Sequence, residues 1–294
     1  MGAAGEAQFT TEGEAVAAPS PGEPDLCPTL EREGLVRLPN LVFRLTANEL
    51  DLTGSDLGQR KAKNVSYDPR TGRLGGVELD AATTARFTAL LARFSAWARD
   101  LLAQNFGRYA PDLEVGRTSY RPRPVDEERP SPRKDDRRLH VDAFPSQPVA
   151  GRRILRVFSN IDPTGHDREW AVGEPFEAHA RRFMHRARAL LPGEGGVLQA
   201  LRITKGRRTA YDQLMLQLHD LSKLDAAYQA WAPRRHVSFA PGATWVVFTD
   251  QVPHAALKGQ YALEQTFYVP LEALAQPEVS PLRVLERLSG RRLV

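Results

Sequence analysis

The tripeptide His140-Val141-Asp142 constrains the fold of this chain more than any other feature of its sequence. In a β-strand, residues i and i+2 point to the same face, so His140 and Asp142 can present an imidazole and a carboxylate to one point. A third such group, His254, follows the apolar run Trp245-Val246-Val247-Phe248. Two imidazoles and one carboxylate that converge inside a β-barrel form the facial triad typical of Fe(II) enzymes that activate O₂.

A zinc site and a simple surface ion pair are the alternatives to an iron site. The same three ligands suit a catalytic Zn²⁺, and a His-x-Asp pair can be a surface histidine beside a carboxylate. The helical His-Glu-x-x-His arrangement of zinc proteases is absent from the sequence, and the ligands are expected on strands. No other histidine of the chain lies in a His-x-Asp or His-x-Glu pair. The pattern therefore favours iron.

Composition narrows the choice of partner and compartment. The net charge is only +4, with a pI near 9.3, which suits an anionic ligand or an anionic membrane surface. Basic and aromatic residues are not interleaved, so no nucleic-acid partner is predicted. The single cysteine, Cys27, excludes an intramolecular disulfide. The sequence has neither a secretory signal pattern nor an apolar run near the roughly 20 residues that span a bilayer, which predicts a cytoplasmic protein.

The order of segments predicts a mixed fold. Residues 1–30 have almost no large apolar side chains and are predicted to form a disordered leader, followed by a single domain over 31–294. Helical periodicity predicts a supporting helix at about 80–107, capped by Gly107, and a helical insert at about 175–231. Short β-type runs are predicted at the following positions: 118–121, 139–144, 153–160, 169–172, 236–239, 245–249 and 265–269.

Short strands with helices before and between them favour an α+β, mainly β architecture. We expect a jelly-roll or cupin-like barrel with supporting helices. A doubly wound parallel sheet is the weaker alternative, because an uninterrupted alternation of strands and helices is absent from the sequence.

Several motifs resemble those of the 3-deoxy-D-manno-oct-2-ulosonic acid (Kdo) hydroxylases. They are the run His140 to Ser146, its continuation Arg152 to Phe158, the stretch Tyr211 to Asp220, and Asp250-Gln251-Val252-Pro253-His254. The similarity covers about residues 35–285.

This resemblance implies a double-stranded β-helix and an Fe(II)- and 2-oxoglutarate-dependent dioxygenase. Such an enzyme uses O₂ to hydroxylate carbon 3 of a Kdo sugar on Kdo-bearing lipid A, in the inner core of lipopolysaccharide, and releases succinate and CO₂. It also implies peripheral contact with the cytoplasmic face of the inner membrane. His140, Asp142 and His254 would hold the metal.

The binding site for 2-oxoglutarate departs from the pattern common in the wider superfamily. A basic residue often follows the distal histidine by about ten positions, but Leu263-Glu264-Gln265-Thr266 contains none. Arg156, in an apolar strand, is the first candidate to bind the far carboxylate, since a buried guanidinium needs an anionic partner. A structural ion pair is the alternative. Arg121 is the second candidate, and Gln265 could donate a hydrogen bond.

An anionic sugar substrate predicts a basic rim around the site. Arg153, Lys205 and Arg208 could supply it, although a cluster of solvated loop charges is the favoured explanation for any one of them. The helical pattern from Arg208 to Trp231 could form a lid, because it carries more polar groups than core packing requires. The lid residues predicted to contact the substrate are Tyr211, Asp212 and His219.

Two other functions stay open at this point. The first is a 2-oxoglutarate dioxygenase acting on another small molecule or on a protein, since substrate choice depends on loops that the triad does not define. The second is a non-catalytic, cupin-like sugar-binding module, which would release no succinate in response to metal.

Overall fold

The central strands are rich in apolar and β-branched residues and are buried along their whole length, and they lie within two facing antiparallel sheets. The structure is a computed structural model that describes residues 25–53, 59–60, 64–125 and 130–294. Its strands are β1 Leu35–Leu38, β2 Gln59–Arg60, β3 Val65–Asp68, β4 Arg73–Gly75, β5 Val77–Glu78, β6 Glu114–Arg121, β7 Arg153–Asn160, β8 Arg168–Val172, β9 Arg235–Phe239, β10 Thr244–Phe248, β11 His254–Lys258 and β12 Ala262–Val269.

The major sheet has the order β1-β10-β7-β12-β6-β3-β4, and the minor sheet has the order β11-β8-β9. Every strand pairing in both sheets is antiparallel. Aromatic side chains of the two sheets pack against each other, with Phe158 and Trp245 of the major sheet lying against Trp170 of the minor sheet. This arrangement confirms the predicted mainly β, jelly-roll core.

Seven helices support the sheets within the described ranges: α1 Cys27–Glu33, α2 Ala81–Asn105, α3 Phe176–Phe183, α4 Glu194–Ala200, α5 Ala210–Leu224, α6 Ala226–Trp231 and α7 Pro281–Ser289. Helix α2 begins where the Asp80 carboxylate accepts a hydrogen bond from the Thr83 amide. It buries Phe87, Phe94 and Leu102, among others, so the predicted supporting helix is confirmed. Its cap is Phe106, and the prediction of Gly107 was wrong. None of the described helices combines the length and apolarity that a bilayer crossing requires.

The predicted leader extends too far into the chain. Residues 1–24 lie outside the described residues, but residues 27–33 form α1, in which Cys27 and Leu30 are completely buried. Leu26, Cys27 and Leu30 pack against α2 and the outer face of the major sheet. Glu31 is also buried, and its carboxylate accepts hydrogen bonds from the Ala275 and Gln276 amides. The apolar residues at Leu26 and Leu30 therefore mark the start of the core.

Other boundaries also differ from the predictions. Residues 139–144 form only an isolated bridge, between His140 and His254, and not a strand. The helical pattern from Pro175 predicts a helix as far as Leu190, but α3 ends at Phe183. The second is divided at Asp225, whose carboxylate accepts a hydrogen bond from the Tyr228 amide and so begins α6. Helix α4 lies within the predicted insert, but no separate helix was predicted there.

Candidate metal centre

Two reciprocal backbone hydrogen bonds bring the two predicted histidine ligands together. The His140 amide donates to the His254 carbonyl at 3.1 Å, and the His254 amide donates to the His140 carbonyl at 2.9 Å. The ring centroids lie 4.7 Å apart. Asp142 is fixed by its amide, which donates to the Thr249 carbonyl at 2.7 Å. Residues separated by more than a hundred positions therefore meet at one end of the minor sheet.

Backbone carbonyls set the tautomer of both imidazoles. Nδ1 of His140 lies 2.7 Å from the Arg138 carbonyl, and Nδ1 of His254 lies 2.8 Å from the Val252 carbonyl. A carbonyl can only accept, so Nδ1 carries the proton and Nε2 keeps a free lone pair. One atom from each of His140, Asp142 and His254 lies within 4.8 Å of the other two. The three groups are therefore arranged to coordinate one metal ion.

Electrostatics keep the three groups in the protonation states that metal binding requires. Burial lowers the pKa of His140 and of His254, so both imidazoles are neutral at neutral pH. Burial alone would raise the pKa of Asp142, but several interactions together outweigh burial and lower that pKa, the largest of them with the Arg156 guanidinium 2.9 Å away. The site thus offers two neutral nitrogens and one carboxylate.

This donor set fits Fe(II). Two imidazoles and one carboxylate on one side of an ion leave several coordination positions open, as in the non-haem Fe(II) oxygenases. Within the described part of the chain, no fourth His, Cys, Asp or Glu side chain joins the group. A closed structural zinc site would need that fourth ligand.

A cavity of about 170 Å³ adjoins the three ligands and is rich in arginine. Arg121 and Arg156 line it, and both pair with Glu264, at 2.5 Å and 2.6 Å. Arg156 also contacts the Asp142 carboxylate. Arg156 therefore lies beside the triad and forms the structural ion pairs that were the alternative to its predicted role.

Arg168 lines the same cavity but lacks a comparable partner. It is 2% exposed, and its only hydrogen bond among the described residues runs from Nη1 to the Gly259 carbonyl at 3.3 Å. Its Nε has no partner, and no carboxylate of the described residues pairs with it. Burial and the nearby Arg121 lower the pKa of Arg168 to about 9. A buried cation in this state calls for an anionic ligand.

Sequence reasoning missed both Arg168 and its neighbour Trp170. The predicted strand began at Glu169, one residue too late. In β8 the two side chains share a face by i, i+2 spacing, and both line the cavity. Trp170 stacks on the His254 ring with centroids 5.2 Å apart. A signal was available, since Arg168-Glu169-Trp170 alternates a cation and an aromatic ring on one face.

Gln265 does not face the site, so its predicted contact with 2-oxoglutarate is wrong. Its side chain is completely buried, accepts a hydrogen bond from Thr118 Oγ1 at 2.6 Å and donates one to the Thr266 carbonyl at 2.7 Å. The neighbouring Glu264 points to the cavity side instead. Successive residues of a strand point to opposite faces, which is why only one of these two can reach the site.

Three of the predicted substrate contacts are structural. Arg153 is fully buried and pairs with Asp250 at 2.8 Å. Tyr211 is fully buried in the core. Asp212 closes a capping box with Thr209 at the start of α5, and its carboxylate also accepts a hydrogen bond from the Val149 amide at 2.8 Å. These side chains cannot form a lid or a basic rim.

The buried Arg153 and Asp250 pair leads to a prediction about stability. Asp250→Ala should lower the free energy of unfolding by about 3–5 kcal/mol, because it leaves the guanidinium buried without its charge partner. Chemical denaturation of the two proteins measures this difference. The double variant Arg153→Met with Asp250→Leu removes both charges, and we expect it to recover most of the loss. A single variant as stable as the wild type would contradict the prediction.

The remaining predicted substrate residues lie close to the site. The Lys205 amide donates to the Ser146 carbonyl at 2.8 Å, and Arg208 Nη2 donates to the Pro145 carbonyl at 2.5 Å. The His219 ring meets His140 edge-on, with centroids 5.3 Å apart, and its Nδ1 lies 2.9 Å from Asp220.

A second cavity, of about 310 Å³, meets the first at Arg121 and Arg156. Residues of β6 and β12 form part of its lining, and the loop at 144–147 forms another part. The wall residues on the two strands are Val115, Gly116, Arg117, Ser119, Arg121, Glu264, Thr266 and Tyr268. This cavity is polar, cationic and open to solvent, so it suits a hydrophilic anionic molecule.

A β-bulge shapes this wall. The register between β12 and β6 shifts, so that Gly116 and Arg117 together oppose Thr266. A Cβ at Gly116 would lie 2.9 Å from the Thr266 carbonyl oxygen, so only glycine allows the strands to approach this closely. Bulges commonly re-aim a side chain next to a site, and here Arg117 lines the cavity.

Comparisons with known proteins agree with this geometry. A sequence profile of the 3-deoxy-D-manno-oct-2-ulosonic acid (Kdo) hydroxylase family matches residues 15–292. A crystal structure of the Kdo hydroxylase KdoO, a non-haem Fe(II) α-ketoglutarate-dependent dioxygenase, in complex with α-ketoglutarate and Fe(III) is 41% identical, with a TM-score of 0.85. That match covers 92% of this chain and 93% of the other.

Two further KdoO structures are similar to the chain. A cobalt(II) complex is 42% identical over 92% of this chain and 93% of the other, with a TM-score of 0.86. The apo structure is 41% identical over 95% of each chain, also with a TM-score of 0.86. A search of curated proteins found no match. The family profile, which spans nearly the whole sequence, and the shared fold lead to one conclusion: the chain belongs to the Kdo hydroxylase family.

Proposed function

We propose that the protein is an Fe(II)- and 2-oxoglutarate-dependent dioxygenase that hydroxylates carbon 3 of a Kdo sugar on Kdo-bearing lipid A. The observation that carries the proposal is a three-ligand centre beside a small, arginine-rich cavity, which meets a larger polar cavity at Arg121 and Arg156. When bound, Fe(II) supplies the activation of O₂, by which 2-oxoglutarate becomes succinate and CO₂ and one C–H bond of the sugar becomes C–OH.

The metal ligands would be His140, Asp142 and His254. The Arg138 and Val252 carbonyls hold the two rings in the tautomer that points Nε2 at the centre. Such partners of a ligand typically affect metal affinity or activity by about 10–100-fold. Arg156 would orient the Asp142 carboxylate and keep it ionised.

The smaller cavity would hold 2-oxoglutarate. Arg168, which has no carboxylate partner among the described residues, would bind the far carboxylate of the co-substrate. Phe158 and Trp170 would exclude water from its carbon chain. Arg121 is the second cation on this wall, but Glu264 already neutralises much of its charge. This assignment replaces Arg156 as the first candidate.

The larger cavity would hold the sugar. Hydroxyl and amide groups of Ser119, Thr266 and Asn64 line it and suit the hydroxyls of a carbohydrate. Arg117 is exposed on its wall and, within the described ranges, pairs with no carboxylate, although it donates to Ser66 Oγ at 3.1 Å. It would bind the carboxylate of the sugar acid. Lys205 and Arg208 brace the Pro145–Ser146 wall of this cavity.

The role of Arg117 is testable by kinetics. Arg117→Ala should raise the KM for the Kdo substrate by about 10–30-fold, because a hydrogen bond to a charged group contributes about 1.5–3 kcal/mol at a partly wet site. The KM for 2-oxoglutarate should stay unchanged. Arg108→Ala, an exposed arginine outside both cavities, is the matched control. An unaltered KM for the Kdo substrate in Arg117→Ala would contradict the assignment.

The proposed reaction itself is tested by mass spectrometry. Protein loaded anaerobically with Fe(II) and 2-oxoglutarate should show a weak visible charge-transfer band. After oxygen is added, Kdo-bearing lipid A should gain one oxygen atom while succinate accumulates. Turnover with a different small molecule or with a protein would support another member of the same enzyme class. Metal binding without succinate release would instead support a sugar-binding module.

The substrate also suggests where the protein acts. We propose that it works in the cytoplasm, at the cytoplasmic face of the inner membrane. The absence of a crossing helix from the described residues is compatible with peripheral contact. Such contact requires a surface that suits the interface of a bilayer.

A further inference from the structure

Large apolar side chains are exposed along one segment near the larger cavity. Leu191, Val197, Leu201 and Ile203 are 61%, 56%, 66% and 54% exposed. They are four of the nine exposed large apolar side chains among the described residues. Single exposed apolar residues are ordinary on a protein surface, but a cluster in one short segment marks an interaction site. We refer to residues 188–207, which contain this cluster, as the exposed segment.

The packing of α4 explains why these side chains face outward. A Cβ at Gly195 would lie 2.1 Å from the Arg208 carbonyl oxygen, so the Gly195 side of the helix lies against the backbone. At about 100° per residue, Val197 and Leu201 lie on the opposite side of α4. After α4 the chain turns back, and the Ile203 amide donates to the Leu198 carbonyl at 3.0 Å. The backbone thus holds the apolar side chains away from the core.

Unpaired cations accompany the apolar side chains. The exposed segment contains four cationic side chains and one carboxylate, Glu194, which pairs with Arg188. Arg202, Lys205 and Arg207 are exposed and, in the part of the chain that the structure describes, form no ion pair. Aliphatic side chains beside solvated cations are complementary to the interface of an anionic bilayer, where the apolar groups enter and the cations contact headgroups.

The exposed segment is joined to the wall of the larger cavity. The Lys205 amide donates to the Ser146 carbonyl, and Arg208, the next residue after the segment, donates to the Pro145 carbonyl. Pro145 and Ser146 both line that cavity. A molecule with a sugar head and acyl chains could therefore place its head in the cavity while its chains stay in a bilayer against the segment.

We propose that residues 188–207 dock the protein onto an anionic lipid bilayer and hold the mouth of the larger cavity at its surface. The inference deepens the proposed function and rests on it only for the choice of a lipid-borne substrate. The docking itself needs neither iron nor 2-oxoglutarate, so it can be measured separately from the reaction.

The test is sedimentation of the full chain with vesicles of phosphatidylglycerol and phosphatidylethanolamine in equal parts. We expect binding that weakens as salt is raised, because the headgroup contacts are screened. The variant Leu191→Ser, Val197→Ser, Leu201→Ser, Ile203→Ser should bind at least about tenfold more weakly, since it loses most of the apolar area that enters the interface. A second variant, Arg202→Glu, Lys205→Glu, Arg207→Glu, should lose binding to these vesicles as well.

A matched control removes exposed apolar side chains elsewhere. Leu224→Ser with Trp231→Ser changes two residues that are 45% and 64% exposed. Leu224 and Trp231 are the last residues of α5 and α6 and lie outside the exposed segment. This control should bind vesicles as the wild type does.

Several results would overturn the proposal. One is wild-type protein that stays in the supernatant with anionic vesicles, and another is equal binding by the wild type and both segment variants. A wild-type dimer that the serine variant converts to a monomer, with vesicle binding intact, would identify a protein contact instead. Failure to hydroxylate Kdo, with segment-dependent vesicle binding retained, would overturn the proposed reaction and leave the docking surface in place.

Discussion

His140→Ala is expected to abolish metal-dependent turnover. The variant removes one of three ligands, and the remaining Asp142 and His254 cannot define the facial arrangement alone. We expect kcat to fall by more than about a hundredfold. Loss of a residue that only orients a metal ligand typically costs no more than that. Succinate release measured at saturating Fe(II) and 2-oxoglutarate gives kcat, and titration with Co(II) followed by visible absorption reports metal binding directly.

The controls for His140→Ala separate coordination from packing. His185→Ala removes an exposed histidine far from the centre in sequence and should leave both readouts unchanged. Asp142→Asn keeps the size of the side chain and removes its charge, so it should lose metal affinity while remaining folded. If His140→Ala were to bind Co(II) as tightly as the wild type and keep its turnover, these three residues would not be the metal centre.

The geometry of this centre could be predicted from the sequence because it depends on local spacing. His140 and Asp142 are two residues apart, and a bridge to His254 is enough to aim both at one point. The predicted strand through residue 144 was wrong, yet the extended backbone at the bridge preserved the pairing. Helix α2 was equally accessible, since seven of its apolar residues recur at helical spacing and are all buried: Phe87, Leu90, Leu91, Phe94, Ala98, Leu101 and Leu102.

The residues that bind ligands around the centre were harder to predict from sequence, because the face of the strand on which each side chain lies determines whether it reaches the site. A shift of one residue turns a side chain to the other face of a sheet, which separates Gln265 in the core from Glu264 at the cavity. Arg153 and Arg156 lie in the same strand, but the first pairs with Asp250 and the second with Asp142 and Glu264. Sequence alone does not give the tertiary partner that distinguishes a structural arginine from a binding one.

Arg168 was also missed because its tertiary partners cannot be read from the sequence. Arg168 is important because no carboxylate among the described residues pairs with it, and only a structure can show this. In the sequence, Arg121 and Arg156 are the stronger candidates to bind the 2-oxoglutarate carboxylate, because both lie within clear β-type runs. In the structure, however, Glu264 contacts both of them and leaves Arg168 as the cation best able to attract a further carboxylate.

Arg168→Met should therefore weaken 2-oxoglutarate binding strongly without weakening the fold. Removing a guanidinium that contacts a buried carboxylate typically costs about 2–5 kcal/mol, which corresponds to at least a roughly thirtyfold higher Kd. The apo protein, in contrast, loses a buried charge whose only hydrogen bond among the described residues is to the Gly259 carbonyl. Its free energy of unfolding should stay the same or rise.

Thermal unfolding with and without 2-oxoglutarate, in the presence of Co(II), measures both effects at once. A ligand that binds only the folded state raises Tm, so the wild type should gain stability at a concentration at which Arg168→Met gains little. Arg121→Met is the matched comparison, since it leaves the buried Glu264 with one fewer cation and should lower the Tm of the apo protein. If Arg168→Met destabilised the apo protein as much as Arg121→Met does, Arg168 would be a structural residue. An unchanged response to 2-oxoglutarate would likewise exclude it as the carboxylate anchor.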